Sequence, residues 1–238
     1  MSGISEITLP DTSLCAIVRD EKENPAGGIE RFVKSIINYV EAGVIVDCGS
    51  KDGTREILND LASQYPKLKI FDTKFNGYDN ARNFALDRVE TKMALVLDAD
   101  ELLTGDDFEK LKKFMEDNPD FLGYNFRCIY IYPEEEEFGP IHNPRLFTVS
   151  KEIRYKGFTG EELYLKDEEM CKINGKTIDT NIIIKHFCPR KEARLKKYEY
   201  YSKILSHKHG NSQIDIPPSE FPGFKEWKAY NPKRDSYL

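Results

Sequence analysis

The stretch "LVLDADELLT" (95–104) places an apolar run directly before three carboxylates, Asp98, Asp100 and Glu101. Such a run is typical of a buried β-strand, where unpaired carboxylates are costly. Ligands of open α/β sheets bind at the carboxyl ends of the strands. If the chain stays extended here, residues i and i+2 point the same way. We therefore expect Asp98 and Asp100 to lie side by side at a ligand site.

Strand-like and helix-like segments alternate along the first half of the chain, which predicts an α/β fold. Continuous apolar strands suit a mostly parallel central sheet with helices on both faces. Apolar runs predict strands at 14–18, 44–47, 68–72 and 93–98. Helical spacing predicts helices near 29–40, 57–61 and 79–89, with Gly43 as the C-terminal cap of the first.

The second half is less regular in pattern. An amphipathic helix is predicted at 106–118, a solvated loop at the run of glutamates 134–137, and a basic, Tyr-rich helix at 190–210. Strands are predicted at 121–132, 143–149 and 180–187. Residues 211–238 are rich in proline and predict a C-terminal extension.

Composition excludes some classes of function. The chain has 238 residues and a formal net charge of −6, which disfavours nonspecific nucleic-acid binding. We expect no transmembrane segment, because no apolar run approaches about 18 residues. Five scattered cysteines without a signal sequence predict reduced thiols and a cytoplasmic protein. Three of them, Cys15, Cys48 and Cys128, are expected in the core.

Hard oxygen ligands at a strand end suit Mn²⁺ or Mg²⁺, which keep water ligands and bridge to substrate phosphates. An Asp-x-Asp motif alone is weak evidence, since it arises by chance in acidic proteins. Here the position of Asp98 and Asp100 directly after an apolar strand favours a metal site.

Four motifs in order carry a resemblance to a known family. They are "SLCAIVRDEKEN" (13–24), "VIVDCGSKDGT" (44–54), "NARNFAL" (80–86) and "ALVLDADELL" (94–103). Together they resemble the nucleotide-sugar half of GT-A fold glycosyltransferases of family 2. The resemblance continues more weakly through "PRLF" (144–147), "YKGFTGEEL" (155–163) and "IIIKHF" (182–187).

The resemblance implies a metal-dependent, inverting transfer of a hexosyl or deoxyhexosyl group. The donor would be a nucleotide-diphospho-sugar, most simply a UDP-sugar, and the acceptor a hydroxyl of a glycan or another molecule. It also implies a nucleotide-sugar half at 1–104 and an acceptor half of the same GT-A domain at 105–210, before the extension at 211–238.

The resemblance also assigns the donor site. Asp52 matches the carboxylate that pairs with the nucleotide base, and Asp47 would support the same pocket. Arg82 matches an arginine near the phosphates, and a guanidinium suits that charge. Asp98 would lie near the ribose and the metal's waters, and Arg145 is a further candidate for the diphosphate or the acceptor side.

The metal, Mn²⁺ or Mg²⁺, is assigned to Asp100 as direct ligand, with Asp98 beside it. In metal-dependent GT-A enzymes a late His or Asp often completes the shell, and His186 is the candidate here. Imidazole suits Mn²⁺ moderately well.

The acceptor base is the least certain match to the family. The related pattern reads Gly, two residues, then His-Glu, but here Gly160 stands where His is usual. Glu161 is the candidate base, and Glu162 is the runner-up.

Two alternatives share parts of this pattern. A sugar-phosphate nucleotidyltransferase would carry an N-terminal Gly-rich stretch with basic residues, whereas "IVRDEKENPAGG" (17–28) has its glycines late and much acid. A noncatalytic nucleotide-sugar-binding module would have lost the Asp-x-Asp motif or the base.

Overall fold

A computed structural model describes residues 7–158 and 160–190, together with Glu192 and Leu195. The predicted α/β fold class is confirmed. The first half forms four neighbouring parallel strands, in the spatial order β3-β2-β1-β4. Their bounds are β1 Thr12–Val18, β2 Ala42–Asp47, β3 Leu68–Asp72 and β4 Met93–Val96.

Four helices follow strands of this sheet. α4 has the clearest start, because Thr104 and Asp107 form a reciprocal capping box that satisfies free amides of its first turn. The helices are α1 Gly28–Ile36, α2 Thr54–Gln64, α3 Tyr78–Leu86 and α4 Gly105–Asp117, with short 3₁₀ segments at Ile37–Tyr39 and Met170–Lys172.

The core covers both faces of the sheet. Leu14 of β1 packs in a cluster with apolar residues of α1, α2 and α4. The next residue, Cys15, points to the other face and packs in a cluster that includes Ala81 and Ala85 of α3. Cys48 and Cys128 are buried as well, as predicted, and all five cysteines are free thiols.

The second half extends the same sheet, through strands that run in both directions. The full order is β3-β2-β1-β4-β7-β6-β11-β5, and a separate three-stranded sheet has the order β10-β9-β8. The added strands are β5 Glu101–Leu102, β6 Gly123–Ile131, β7 Glu136–Thr148, β8 Ile153–Lys156, β9 Glu162–Leu165, β10 Glu168–Glu169 and β11 Thr177–Phe187.

Two local predictions are wrong. Gly43 does not cap a helix: it lies inside β2, where an added Cβ would come within 2.9 Å of the Leu68 side chain. The chain reaches β2 sooner than expected because Val40 is already extended. Glu136 and Glu137 belong to β7 and not to a loop, since they pair with β6 while their charged side chains stay exposed to water.

Most of the helix predicted at 190–210 and the whole extension at 211–238 lie outside the described residues, so the division of the chain into these segments stays a prediction. Within the part that is described, none of the helices has the length and apolar character needed to cross a membrane.

Gly28 at the start of α1 provides a test of the loop that precedes this helix. Its φ is +88°, and an added Cβ would lie 2.3 Å from the carbonyl oxygen of Lys22. Gly49 has a similar φ of +94° but open space around it. We expect Gly49→Ala to lower the free energy of unfolding by about 1–3 kcal/mol through backbone strain alone. Gly28→Ala should lower it clearly more, because the added Cβ also collides with the Lys22 carbonyl. Urea denaturation measures both variants, and equal losses of unfolding free energy would contradict the described loop.

Candidate functional site

The carboxylates after β4 lie in a turn. The Glu101 amide donates to the Asp98 carbonyl at 3.0 Å, so the chain reverses here instead of staying extended. The expected side-by-side arrangement of Asp98 and Asp100 on an extended strand is therefore wrong. The turn sends the two side chains to different partners: Asp98 to Arg82 of α3, and Asp100 to His186 of β11.

Arg82 joins two of the predicted site carboxylates. It is only 6% exposed, and its Nη2 donates to Oδ1 of Asp98 at 2.7 Å. Its Nε donates to Oε1 of Glu161 at 2.6 Å, and its guanidinium lies over the ring of Tyr155. Burial tends to raise the pKa of Asp98, but Arg82 and Arg145 hold it below its usual range. Arg82 thus links the end of β4 to the turn before β9.

Glu101 was a carboxylate without a predicted role, and the structure buries it at 3% exposure. It forms an ion pair with Arg145 of β7, and its Oε2 accepts the Asp98 amide at 2.8 Å. Burial raises the pKa of Glu101, although Arg145 opposes this shift. A signal was present in the sequence, because the apolar residues after Glu101 predict a buried position that needs a cation.

Asp100 and His186 form the second pair. The Nε2 atom of His186 lies 3.4 Å from Oδ2 of Asp100, and its Nδ1 lies 3.8 Å from Oε1 of Glu101. Burial lowers the pKa of His186, but the charges and hydrogen bonds of Asp100 and Cys188 together raise it well above the usual value. These neighbours therefore favour the protonated form of the imidazole.

The donor set suits a metal that is shared with a substrate. The described residues hold no group of three or more His, Cys, Asp or Glu side chains placed to bind a metal by themselves. Mg²⁺ and Mn²⁺ are often held by one or two protein ligands, with water and substrate phosphates completing the shell. The carboxylate of Asp100 and the imidazole of His186 fit that kind of site.

Asp47 is the last residue of β2, and among the described residues only one of its two carboxylate oxygens has hydrogen-bond partners. Its Oδ1 accepts the amides of Gly49 and Ser50, both at 2.7 Å. Its Oδ2 is buried and has no hydrogen-bond partner among the described residues. A buried acceptor without a partner costs free energy, so a donor group of a ligand would stabilise it.

Asp52 has a structural role in the same turn. Its Oδ2 accepts the Lys22 amide at 3.0 Å, and its Oδ1 accepts the amide of Thr54 at 3.0 Å and the hydroxyl at 2.6 Å. These bonds fasten the loop after β1 to the first turn of α2. A nucleotide base that contacts Asp52, as predicted, would have to bind carboxylate oxygens that already accept hydrogen bonds from the protein.

The sequence analysis gave no role to two further polar residues. Arg19 directly follows β1, and its Nε is buried without a hydrogen-bond partner in the described part of the chain, as are Nη1 of Arg82 and Nε of Arg145. Asn24 is 3% exposed, and its side-chain amide donates to the Ala99 carbonyl inside the Asp-x-Asp turn at 2.9 Å. Arg19 had a visible signal, a charge directly after an apolar strand, whereas Asn24 had none.

The two candidate bases lie in different surroundings. Glu161 follows a turn with left-handed glycines, Gly157 and Gly160, and it contacts Arg82. Glu162 begins β9 opposite Lys156, and its pKa is raised by burial and by neighbouring Glu169. Of the two, Glu161 is the one that the structure brings to the other predicted site residues.

Comparisons with known proteins identify the family that the chain resembles. The sequence model of the family described as Glycosyl transferase family 2 matches residues 16–175. A protein of Haemophilus influenzae described as an uncharacterized glycosyltransferase is 33% identical over 76 residues, which are 32% of this chain and 30% of that relative. The match thus spans less than a third of the relative's length.

Solved structures show the same fold at low identity. A mannosyltransferase, PcManGT from Pyrobaculum calidifontis, in complex with GDP-Man and Mn²⁺, is 19% identical with a TM-score of 0.55, over 91% of this chain and 68% of that one. Staphylococcus aureus TarS is 11% identical with a TM-score of 0.53, over 86% of this chain and 40% of that one. These likenesses confirm the predicted GT-A fold.

Arg82 yields a prediction about stability. Arg82→Met should leave Glu161 without this cation and Asp98 with only the more distant Arg145, and it should lower the free energy of unfolding by about 3 kcal/mol, as for other broken buried pairs. This is the low end of the usual range, because the Asp98 side chain is 33% exposed. The control is Arg55→Met, since Arg55 pairs with Asp72, whose side chain is 65% exposed.

The control should lose about 1 kcal/mol or less, as exposed ion pairs do. Chemical denaturation of both variants measures the difference. Equal losses would show that the Arg82 pairs do not stabilise the fold as described.

Proposed function

The chain belongs to Glycosyl transferase family 2, and from this we propose that it moves a sugar from a UDP-sugar to an acceptor hydroxyl, with inversion and with Mn²⁺ or Mg²⁺. The observation that carries the proposal is the contact of one buried guanidinium, Arg82, with both Asp98 and Glu161. A donor-side carboxylate and a candidate acceptor-side base thereby lie on either side of one cation.

The donor would bind at the carboxyl ends of β1, β2 and β4. Buried N–H groups of Arg19, Arg82 and Arg145 lack hydrogen-bond partners in the described residues, and a diphosphate offers several acceptor oxygens. The unpartnered oxygen of Asp47 suits the imide N–H of a uracil base. Asp52 would support this pocket chiefly by holding its turn, with a direct contact to the base as its second role.

Asp100 and His186 would hold the metal. When bound, Mn²⁺ or Mg²⁺ would stabilise negative charge on the leaving diphosphate. Asp98, fixed by Arg82, would hydrogen-bond to the metal's water ligands or to the ribose of the donor. Because the pKa of the His186 imidazole is raised by its neighbours, a metal would compete with a proton for this ligand, and the metal affinity should rise with pH.

Glu161 would serve as the acceptor base. As the acceptor oxygen attacks the anomeric carbon, its proton passes to Glu161, the new C–O bond forms and the bond to UDP breaks. Arg82 would orient the Glu161 carboxylate through the bond at 2.6 Å. A single displacement from the opposite face inverts the anomeric configuration.

The metal is tested with Asp100→Asn, which keeps the size of the side chain and removes its charge. We expect transfer to fall at least about 10²-fold, because metal stabilisation of the leaving group is worth several kcal/mol. EDTA should abolish transfer by the wild type, and added Mn²⁺ should restore it. Asp120→Asn, at an exposed position, should leave transfer unchanged. Full activity in EDTA would contradict metal dependence.

The base is tested with Glu161→Gln. Loss of a general base should lower kcat about 10²–10⁴-fold and leave donor affinity nearly unchanged. Glu162→Gln should have the smaller effect. NMR of the product linkage checks the stereochemistry, and a retained configuration would rule out the single displacement. Full activity of Glu161→Gln with an inverted product would move the role to Glu162 or to another group.

A further inference from the structure

We infer that Glu101 is a positioning residue: it fixes the Asp98–Asp100 turn and the ring of His186 in the arrangement that binds the metal. The inference rests on the proposed function for the presence of a metal, but not for the contacts of Glu101 with the protein. Those contacts come from three separate elements and meet on one carboxylate.

The first contact fixes the turn itself. Oε2 of Glu101 accepts the Asp98 amide at 2.8 Å, and the Glu101 amide donates to the Asp98 carbonyl at 3.0 Å. Glu101 thus bonds to both backbone groups of Asp98: its side chain to the amide and its own amide to the carbonyl. With Asn24 bonded to the Ala99 carbonyl, the backbone of the turn has few ways to move.

The second contact joins the turn to β7. Oε1 of Glu101 pairs with Nη2 of Arg145, which also lies 3.8 Å from Oδ2 of Asp98. Because the Glu101 side chain is 2% exposed and the Arg145 side chain 17%, water does little to replace either partner. Loss of the charge of Glu101 would therefore free Arg145 to move toward Asp98.

The third contact concerns His186. β5 and β11 pair antiparallel with His186 opposite Glu101, and Oε1 of Glu101 lies 3.8 Å from Nδ1 of the ring. The other nitrogen, Nε2, faces Asp100 at 3.4 Å. Histidines that bind metals usually have a carboxylate, carbonyl or water at their second ring nitrogen, which fixes the ring orientation. Of the carboxylates that pair with His186 in the described part of the chain, Glu101 is the one that lies nearest to Nδ1, at ion-pair rather than hydrogen-bond distance.

A simpler reading is that Glu101 and Arg145 only fasten β5 to β7. That reading predicts a loss of stability on substitution, but no specific change in metal binding. Metal affinity therefore separates a positioning role from a merely structural one, provided that the variant is folded.

The test uses Glu101→Gln in the full chain, with Glu109→Gln on the exposed face of α4 as the matched control. Free Mn²⁺ is measured by electron paramagnetic resonance in the presence of UDP, and amide hydrogen exchange is followed in the segment 97–103. We expect Mn²⁺ affinity to fall about 10–100-fold, the usual effect of losing such a partner. The Asp98 amide should exchange faster, and the control should match the wild type in both measurements.

A folded Glu101→Gln variant with wild-type Mn²⁺ affinity and wild-type exchange would overturn the inference. If the wild type itself binds no Mn²⁺ with UDP, the proposed metal dependence fails, and exchange of the Asp98 amide alone decides the role of Glu101.

A second variant covers the case in which Glu101→Gln does not fold. In the double variant Glu101→Gln/Arg145→Gln no buried charge is left unpaired, and it is compared with Arg145→Gln alone. Weaker Mn²⁺ binding by the double variant supports the positioning role, and equal binding by the two overturns it.

Discussion

Two carboxylates that follow one buried strand, Asp98 and Glu101, must each meet a guanidinium, and much of the structure serves this requirement. Arg82 comes from α3 in the first half of the chain, and Arg145 comes from β7 in the second. Arg145 lies 44 positions from Glu101, so this pair can form only when both halves have folded onto one sheet. An unpaired charge in their place would cost several kcal/mol.

The same requirement gives the site its chemical character. Four carboxylates, Asp98, Asp100, Glu101 and Glu161, surround two guanidinium groups and one imidazole, and all of them are linked by ion pairs. Such an array offers carboxylate oxygens to a cation, and N–H groups of Arg82 and Arg145 that lack hydrogen-bond partners among the described residues to an anion. The ion pairs explain why charges are tolerated at the end of an apolar strand, and under the proposed function a metal and a diphosphate would satisfy the remaining groups.

The sequence predicted the first half of the fold well, because its strands are continuous apolar runs with clear ends. The strand at 68–72 matches β3 residue for residue. Prediction from the sequence failed where a backbone reversal or the pairing of distant strands decides the local structure. The extended chain through Asp98 and Asp100 was wrong because Glu101 turns it back, and no local pattern distinguishes the two. The strand start at Glu136 was missed because its pairing with β6 overrides a run of exposed charges.

The residues of the candidate site also divide into those that the sequence predicted and those that it did not. The motifs identified Arg82, Asp98 and Glu161, and the structure brings these three together although 79 positions separate Arg82 from Glu161. The sequence hints that Glu101 is buried and needs a cation, but its partner Arg145 and the bond from Asn24 to Ala99 could not be read from it, since both depend on residues far along the chain. Asp52 is the opposite case. Its motif is easily recognised in the sequence, but in the structure its carboxylate already accepts hydrogen bonds from Lys22 and Thr54.

In the proposed function, this site transfers sugar from a nucleotide-diphospho-sugar. The most direct measurement incubates the full chain with a panel of UDP-sugars and Mn²⁺ and follows the phosphorus-containing products by ³¹P NMR. We expect one donor to release UDP, slowly when water is the acceptor and faster when an acceptor hydroxyl is added. Pyrophosphate release from UTP and a sugar phosphate, without UDP release from any donor, would contradict it and indicate a nucleotidyltransferase.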